Sequence, residues 1–140
     1  MPTTLARLPL AVLFVSTVAA AQVATPSLAL KGNDPVSYFT ERRPAKGAST
    51  IHFDYQDHRY HFASAKNREL FAADPARYAP QFGGLSPVEL SSGKRIEADP
   101  GAFLVRDGKL YLFSSPQARD YATKNPGLLQ RVHESWVDKK

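Results

Sequence analysis

The sequence predicts a single small α+β domain in which two β-hairpins pack with several short helices. Residues 50–62 show the period-two alternation that is typical of hairpin arms, and residues 103–113 consist of two apolar arms around an Asp-Gly turn signal. Five pairs of a capping residue and proline indicate helix starts too closely spaced for long helices: Asp34-Pro35, Asp74-Pro75, Asp99-Pro100, Ser115-Pro116 and Asn125-Pro126. A chain of 140 residues is long enough for one such domain with one hydrophobic core.

Residues 1–21 form a predicted signal peptide. Arg7 is the only charged residue before Lys31, and an apolar run from Leu8 ends in three alanines at Ala21. A positive start, an apolar run and a small-residue end are typical of secretory signals, and this run is shorter than the roughly 20 residues that span a bilayer. We expect cleavage after Ala21, a lead-in over residues 22–29 and a domain over 30–137. The alternative is an uncleaved N-terminal anchor.

Composition narrows the classes of function. The chain has no cysteine, which excludes disulfides, thiol chemistry, iron–sulfur clusters and a c-type haem site. The net charge of +5 comes from scattered basic residues, and export argues against nucleic acid as a partner. We therefore expect a periplasmic or secreted protein with no stable membrane anchor after cleavage. Its partner is expected to be another protein or a small ligand.

The hairpin arms have a predicted register. With Gln56-Asp57 at the tip of the first hairpin, residue 53 faces 60 and residue 51 faces 62, so that aromatic and apolar side chains share one face. Asp107-Gly108 is a type I′ turn signal for the second hairpin, whose arms are apolar on both faces. We expect the second hairpin to be the more buried of the two.

Helices are expected between and after the hairpins. Ser64 caps a helix in which Leu70 and Phe71 face inward, Gly83-Gly84 forms a flexible joint, and residues 85–92 form a short helical turn. Residues 116–124 and 126–137 are predicted to be two further helices. No internal repeat is evident in the sequence.

The first hairpin carries a candidate metal site. Its register sets His52 opposite His61, with Asp54 two residues along on the same face and His58 near the turn. Opposed strand residues have Cβ atoms about 4.5–5.5 Å apart, which suits two imidazoles on one Zn²⁺, Cu²⁺ or Ni²⁺. The alternative is a solvated polar face with two ordinary surface histidines.

The order of several short motifs resembles the YHS-domain family. The stretch from Gly32 to Phe39, GNDPVSYF, is similar to the family's opening, and the stretch from Tyr60 to Phe71, YHFASAKNRELF, is similar to its central part. Further similar pieces are YAPQFGG at 78–84 and GKLYL at 108–112. The matching motif positions are Asp34, Tyr38, Tyr60 and Ser64.

The resemblance implies the fold and a loose link to metals, and no reaction. Family members with a thiolate metal site carry cysteines where this chain has Ser37, Ala63 and Asn67, and related exported members carry one at Ser86. A thiolate site therefore does not carry over. From the residues themselves, we expect Asp34 to cap a turn, Tyr60 to be a core residue with a bonded hydroxyl, and Ser64 to cap a helix.

Two functional hypotheses follow, neither of them enzymatic. The first is an exported module that binds a metal ion or small ligand and serves in metal handling. The second is a structural or protein-interaction domain that has lost its metal ligands. A serine hydrolase built on Ser86 and His133 has little support, because the second glycine of G-x-S-x-G is absent and Pro87 removes an N–H that an oxyanion hole would need.

Overall fold

The domain begins at Ser27 in a computed structural model that describes residues 2–137. Residues 2–26 have no regular secondary structure, and their large apolar side chains are exposed, between 86% and 92% for Leu8, Leu10, Leu13 and Phe14. The lead-in predicted over 22–29 is partly incorporated into the domain, because Ala29 is buried. Within residues 2–137, no helix is both long and apolar enough to cross a membrane.

Six helices, five strands and two 3-10 turns make up the described chain, so the predicted α+β class is confirmed. The strands are β1 (Ser27–Leu28), β2 (Ala48–Tyr55), β3 (His58–Phe62), β4 (Asp99–Arg106) and β5 (Lys109–Phe113). The helices are α1 (Ser37–Thr40), α2 (Ala65–Ala73), α3 (Pro75–Tyr78), α4 (Pro87–Leu90), α5 (Pro116–Lys124) and α6 (Gly127–Val137). The 3-10 turns are Ala29–Gly32 and Gln81–Gly84.

Local chemistry explains most of these boundaries. Ser64 and Ser115 each accept a hydrogen bond from the backbone N–H three residues later, which caps α2 and α5 as predicted. The predicted helix start at Asp99-Pro100 is wrong, because these residues open strand β4. There Asp99 pairs with Phe113, and its carboxylate accepts from the N–H of Gly101 at 2.9 Å.

The first sheet has the strand order β1-β3-β2. The predicted two-residue tip is confirmed, with positive φ at both Gln56 and Asp57, and so are three pairs of the predicted register: 52 with 61, 53 with 60 and 54 with 59. The predicted pairing of residues 51 and 62 is wrong. A bulge between Ala48 and His52 lets Ala48 pair with Phe62 and leaves Ile51 unpaired.

The second sheet is the hairpin of β4 and β5, which turns through Asp107-Gly108 with positive φ at both residues. The expectation that this hairpin is the more buried one is confirmed, because four of the five β5 residues are buried and five of the eight β2 residues are exposed. Alternate side chains of a strand point to opposite faces. Leu110 and Leu112 accordingly join one hydrophobic core while Tyr111 and Phe113 join the other.

Each core belongs mainly to one half of the domain. The first centres on Phe71, which packs against Tyr60 and Phe62 with ring centroids 4.7 and 5.2 Å apart. The second lies between β5 and helices α5 and α6. Phe71 faces inward as predicted, whereas Leu70 is 36% exposed and so does not.

The two halves, residues 27–80 and 81–137, repeat one order of elements. Apart from β1, which has no counterpart in the second half, each runs through a left-handed 3-10 turn, a short helix, a bulged hairpin, a serine-capped helix and a helix that begins at or directly after proline. Equivalent positions from the hairpin onward lie 51 residues apart. Ala48 pairs with Phe62 beside the first bulge, as Asp99 pairs with Phe113 beside the second.

The expectation of no internal repeat is therefore wrong at the level of structure. The isolated bridge between Asn33 and Lys46 also has its counterpart between Leu85 and Glu97. The sequence conceals this relation because few residues are identical, mostly at buried or capping positions: Pro35 and Pro87, Val36 and Val88, Tyr60 and Tyr111, Phe62 and Phe113, Ser64 and Ser115, Pro75 and Pro126.

Candidate functional site

The histidine pair, His52 and His61, lies across β2 and β3 as direct partners. His52 Nδ1 is 3.1 Å from the carbonyl oxygen of Ser49. Burial lowers the pKa of His61, and the positive charge of His52 lowers it further, with smaller effects of Arg59 and Lys46. These surroundings are cationic, which disfavours a divalent metal ion.

Asp54 lies on the same face but is committed to an ion pair. Its two carboxylate oxygens accept from Nε and Nη2 of Arg59 at 2.8 and 2.9 Å. This hydrogen-bonded pairing lowers the pKa of Asp54, although the pair is exposed to solvent. Asp54 would have to break its ion pair with Arg59 before it could bind a metal ion.

His58 points away from the histidine pair. His58 and Tyr60 are two residues apart on β3 and therefore point to the same face of the sheet, with their ring centroids 6.4 Å apart. Its Nδ1 is 2.8 Å from the carbonyl oxygen of Gln56, which can only accept a hydrogen bond, so Nδ1 carries a proton. Across residues 2–137, no group of three or more histidine or carboxylate side chains is placed to hold a metal ion. The four predicted ligands thus do not come together.

Asp34 is a buried structural hub. Its Oδ1 accepts from the N–H of Val36 at 2.8 Å, as expected of a turn cap. Its Oδ2 accepts from the N–H of Ala63 at 2.8 Å and from Nδ2 of Asn67 at 2.7 Å. The carboxylate therefore ties the opening turn to the junction of β3 and α2, and it leaves no oxygen directed at a ligand site.

Two other motif positions are structural as well. The Tyr38 hydroxyl donates to the carbonyl oxygen of Pro100 at 2.8 Å and so connects the two halves, and burial raises its pKa. Tyr60 is a core residue as predicted, and burial raises its pKa too. The Ser64 hydroxyl caps α2 at 3.1 Å from the N–H of Asn67.

Ser86 and His133 do not form a catalytic pair. The Ser86 side chain is fully buried, and its hydroxyl has no hydrogen-bond partner in the described chain. Burial acts to raise the pKa of the nearby Glu89 carboxyl, but hydrogen bonding, chiefly from the Ser114 hydroxyl, lowers that pKa on balance. His133 Nε2 is 2.8 Å from the Tyr111 hydroxyl, and burial lowers its pKa. No substrate can reach Ser86 in this arrangement.

A pocket with a volume of about 270 Å³ lies between the two halves. Both left-handed turns line it, and equivalent positions of the two turns take part: Leu30 with Phe82, and Lys31 with Gly83. The flexible joint predicted at Gly83-Gly84 is instead a defined turn with φ of 64° and 81°. We call this site the inter-half pocket.

The floor of the inter-half pocket is apolar and its rim is charged. Leu30, Phe82 and Leu112 are buried side chains of the floor. Trp136 forms part of the wall, and the Arg95 guanidinium carbon lies 5.6 Å from the centroid of its ring. The remaining polar and charged lining is Ser27, Lys31, His58 and Glu97.

The sequence predicts His58 near the tip of the first hairpin and does not predict a pocket. Trp136 reaches the pocket because α6 lies beside the turn of residues 81–84, with Phe82 and Trp136 ring centroids 5.7 Å apart. His58 reaches it from β3, where it pairs with Ser27 of β1, another lining residue. The glycine pair was the one local signal, since successive residues with positive φ favour glycine.

Comparison of the chain with protein-family models, with curated proteins and with solved structures gives no match. The similarity to YHS domains therefore remains a prediction from the motifs.

Proposed function

We propose that this chain is an exported, non-catalytic binding module of YHS-like type that holds a small ligand in the inter-half pocket. The observation that carries the proposal is the pocket itself: a concave site with both apolar and polar lining, placed where two structural units meet. Small-molecule sites in proteins favour such junctions. Export is supported by the N-terminal leader, whose apolar residues remain exposed outside the domain.

A resident metal ion fits this chain poorly. His52 and His61 supply two ligands, and the nearest carboxylate, Asp54, is held by Arg59. Sites that bind zinc tightly have three or four protein ligands. The metal-handling role suggested by the resemblance therefore gives way to binding of an organic ligand.

A protein-interaction domain is the second candidate, favoured by strand β2. This strand forms an edge of its sheet, and five of its eight residues are exposed. An edge strand offers unpaired backbone groups to another chain. The bulge at Ala48–His52 and the charged side chain of Asp54 oppose such pairing, which is why we rank it second.

The fluorescence of Trp136 provides the test, because Trp136 is the only tryptophan of the chain and lines the pocket. The purified protein is titrated with 1-octanol and with octanoate, and heats are measured in parallel. We expect saturable binding with a dissociation constant below about 1 mM, equivalent to about −4 kcal/mol. The absence of saturable binding by both methods would contradict the proposal.

A matched pair of variants locates the binding. Leu28 lines the pocket and is 53% exposed, so Leu28→Asp places a carboxylate at the pocket with little effect on the core. Leu70 is 36% exposed on α2 and does not line the pocket, which makes Leu70→Asp the control. We expect the first variant to weaken octanol binding at least fivefold and the second to leave it unchanged. Equal losses in both would place the binding elsewhere.

A further inference from the structure

The rim of the inter-half pocket has a positive bias. Lys31 and Arg95 line it as cations, and Glu97 is the single carboxylate among its lining residues. The ion pairs within residues 2–137 are those of Arg43 with Glu41, Arg59 with Asp54 and Arg119 with Asp120. Neither rim cation takes part in them, so in the described chain their charge is not neutralised by a carboxylate of the fold.

A third positive charge lies close to the rim. Lys46 Nζ donates to the backbone carbonyl oxygen of Lys31 at 3.0 Å. In the repeat, Lys46 is the counterpart of Glu97, since each residue forms the isolated bridge of its own half. Lys46 and Glu97 thus carry opposite charges at equivalent positions of the two halves. At and near the rim, three cations, Lys31, Lys46 and Arg95, outnumber the single carboxylate.

Arg95 is held in place beside the apolar wall. Its guanidinium lies over the Trp136 ring, with the guanidinium carbon 5.6 Å from the ring centroid. Stacking on an aromatic ring leaves the planar edge of a guanidinium, with its N–H donors, available to a carboxylate. A cation is therefore fixed next to the surface that an apolar ligand would contact.

We propose that the ligand of the inter-half pocket is an amphiphilic carboxylate, with its apolar body on Phe82, Leu112 and Trp136 and its anionic group at Arg95 and Lys31. This inference rests on the proposed function and narrows it to one ligand class. The cavity volume of about 270 Å³ lies just under the usual range for small-molecule pockets, roughly 300–1,000 Å³, so the ligand is of modest size.

Three probes with the same chain length and different head groups test the ligand class: octanoate, 1-octanol and octylammonium. Binding to the purified protein is followed by Trp136 emission and by calorimetry at pH 7. We expect octanoate to bind about fivefold or more tightly than 1-octanol, and octylammonium to bind most weakly. This ratio is modest because charges at a solvent-accessible rim are partly screened.

Two rim variants then assign the preference to named charges. Arg95→Gln is expected to weaken octanoate binding about fivefold and to change octanol binding less than twofold. Glu97→Gln is expected to strengthen octanoate binding about twofold. Arg119→Gln, which alters a partly exposed arginine outside the pocket lining, is the control and leaves all three affinities unchanged.

Salt provides a measurement that needs no variant. Raising sodium chloride from 0.05 to 1 M shortens the Debye length from more than 10 Å to about 3 Å, so octanoate binding weakens while octanol binding does not. Equal affinities for octanoate and octanol, or tighter binding of octylammonium, would overturn the ligand class and leave the binding module intact. Failure of all three probes to bind would overturn both proposals.

Discussion

Removal of the Asp34 carboxylate is predicted to be the most damaging single change among the motif positions. Asp34→Ala deletes the acceptor of three hydrogen bonds, from Val36 N–H, Ala63 N–H and Asn67 Nδ2. Each bond to a charged group contributes about 1.5 kcal/mol at the lower end of its range, so the three together contribute about 4–5 kcal/mol. The Ala63 and Asn67 donors lie at partly buried positions, where water can take the place of the carboxylate, so we expect a loss of about 3–4 kcal/mol.

This loss is measured by urea unfolding, followed by far-ultraviolet circular dichroism and by Trp136 emission. With an m-value of about 1.5 kcal/mol/M, the midpoint should fall by about 2 M. The control is Asn67→Ala, which removes one of the three bonds and should cost about 1 kcal/mol. A midpoint shift below about 0.5 M for Asp34→Ala, or equal shifts for the two variants, would refute the view that this carboxylate is a structural hub.

Three further predictions concern metals, pH and the repeat. Calorimetry with Zn²⁺, Cu²⁺ and Ni²⁺ should give no submicromolar binding; tight binding that is lost in both His52→Ala and His61→Ala would restore the metal hypothesis. Burial depresses the pKa of His133 in the folded state, so its contribution to stability is complete above about pH 6.5 and is lost as the pH falls below it. The unfolding free energy should therefore decrease from pH 7 to 5.5 with a shallower slope in His133→Phe, and equal slopes would contradict this assignment. Ser64→Ala and Ser115→Ala remove equivalent helix caps and should each cost about 1 kcal/mol by urea unfolding; a loss confined to one of them would mean that the halves are not energetically alike.

Features governed by neighbouring residues were predictable from the sequence. The tip at Asp107-Gly108 follows from backbone conformations that glycine and aspartate tolerate. The caps at Ser64 and Ser115 follow from a hydroxyl that reaches the third N–H of a helix. The facing of His52 and His61 follows from strand alternation once the tip is fixed.

Features that depend on distant partners were not predictable in this way. Asp99-Pro100 has the chemistry of a helix start, yet pairing of Asp99 with Phe113 and the bond from Tyr38 to the Pro100 carbonyl place it in a strand. The bulge after Ala48 has no residue signature within the hairpin. The repeat became visible only from the order of elements and the strand pairing, since few residues are identical between the two halves.

The pocket could not be predicted from the sequence for the same reason. Its floor and rim come from Leu30, His58, Phe82, Arg95 and Trp136, which are spread over more than a hundred residues of sequence. No short motif links them. The pairing of His52 with His61 was predictable because both residues lie in one hairpin. The two histidines lie on one face of the sheet, whereas His58, which lines the pocket, lies on the other.

The most direct test of the central claim is a titration of the ¹⁵N-labelled protein with octanoate, followed by two-dimensional NMR. We predict saturable shifts at the backbone amides of both left-handed turns, residues 29–32 and 81–84, and at the indole N–H of Trp136. Shifts centred on His52 and His61, or none that saturate, would contradict a binding site between the two halves.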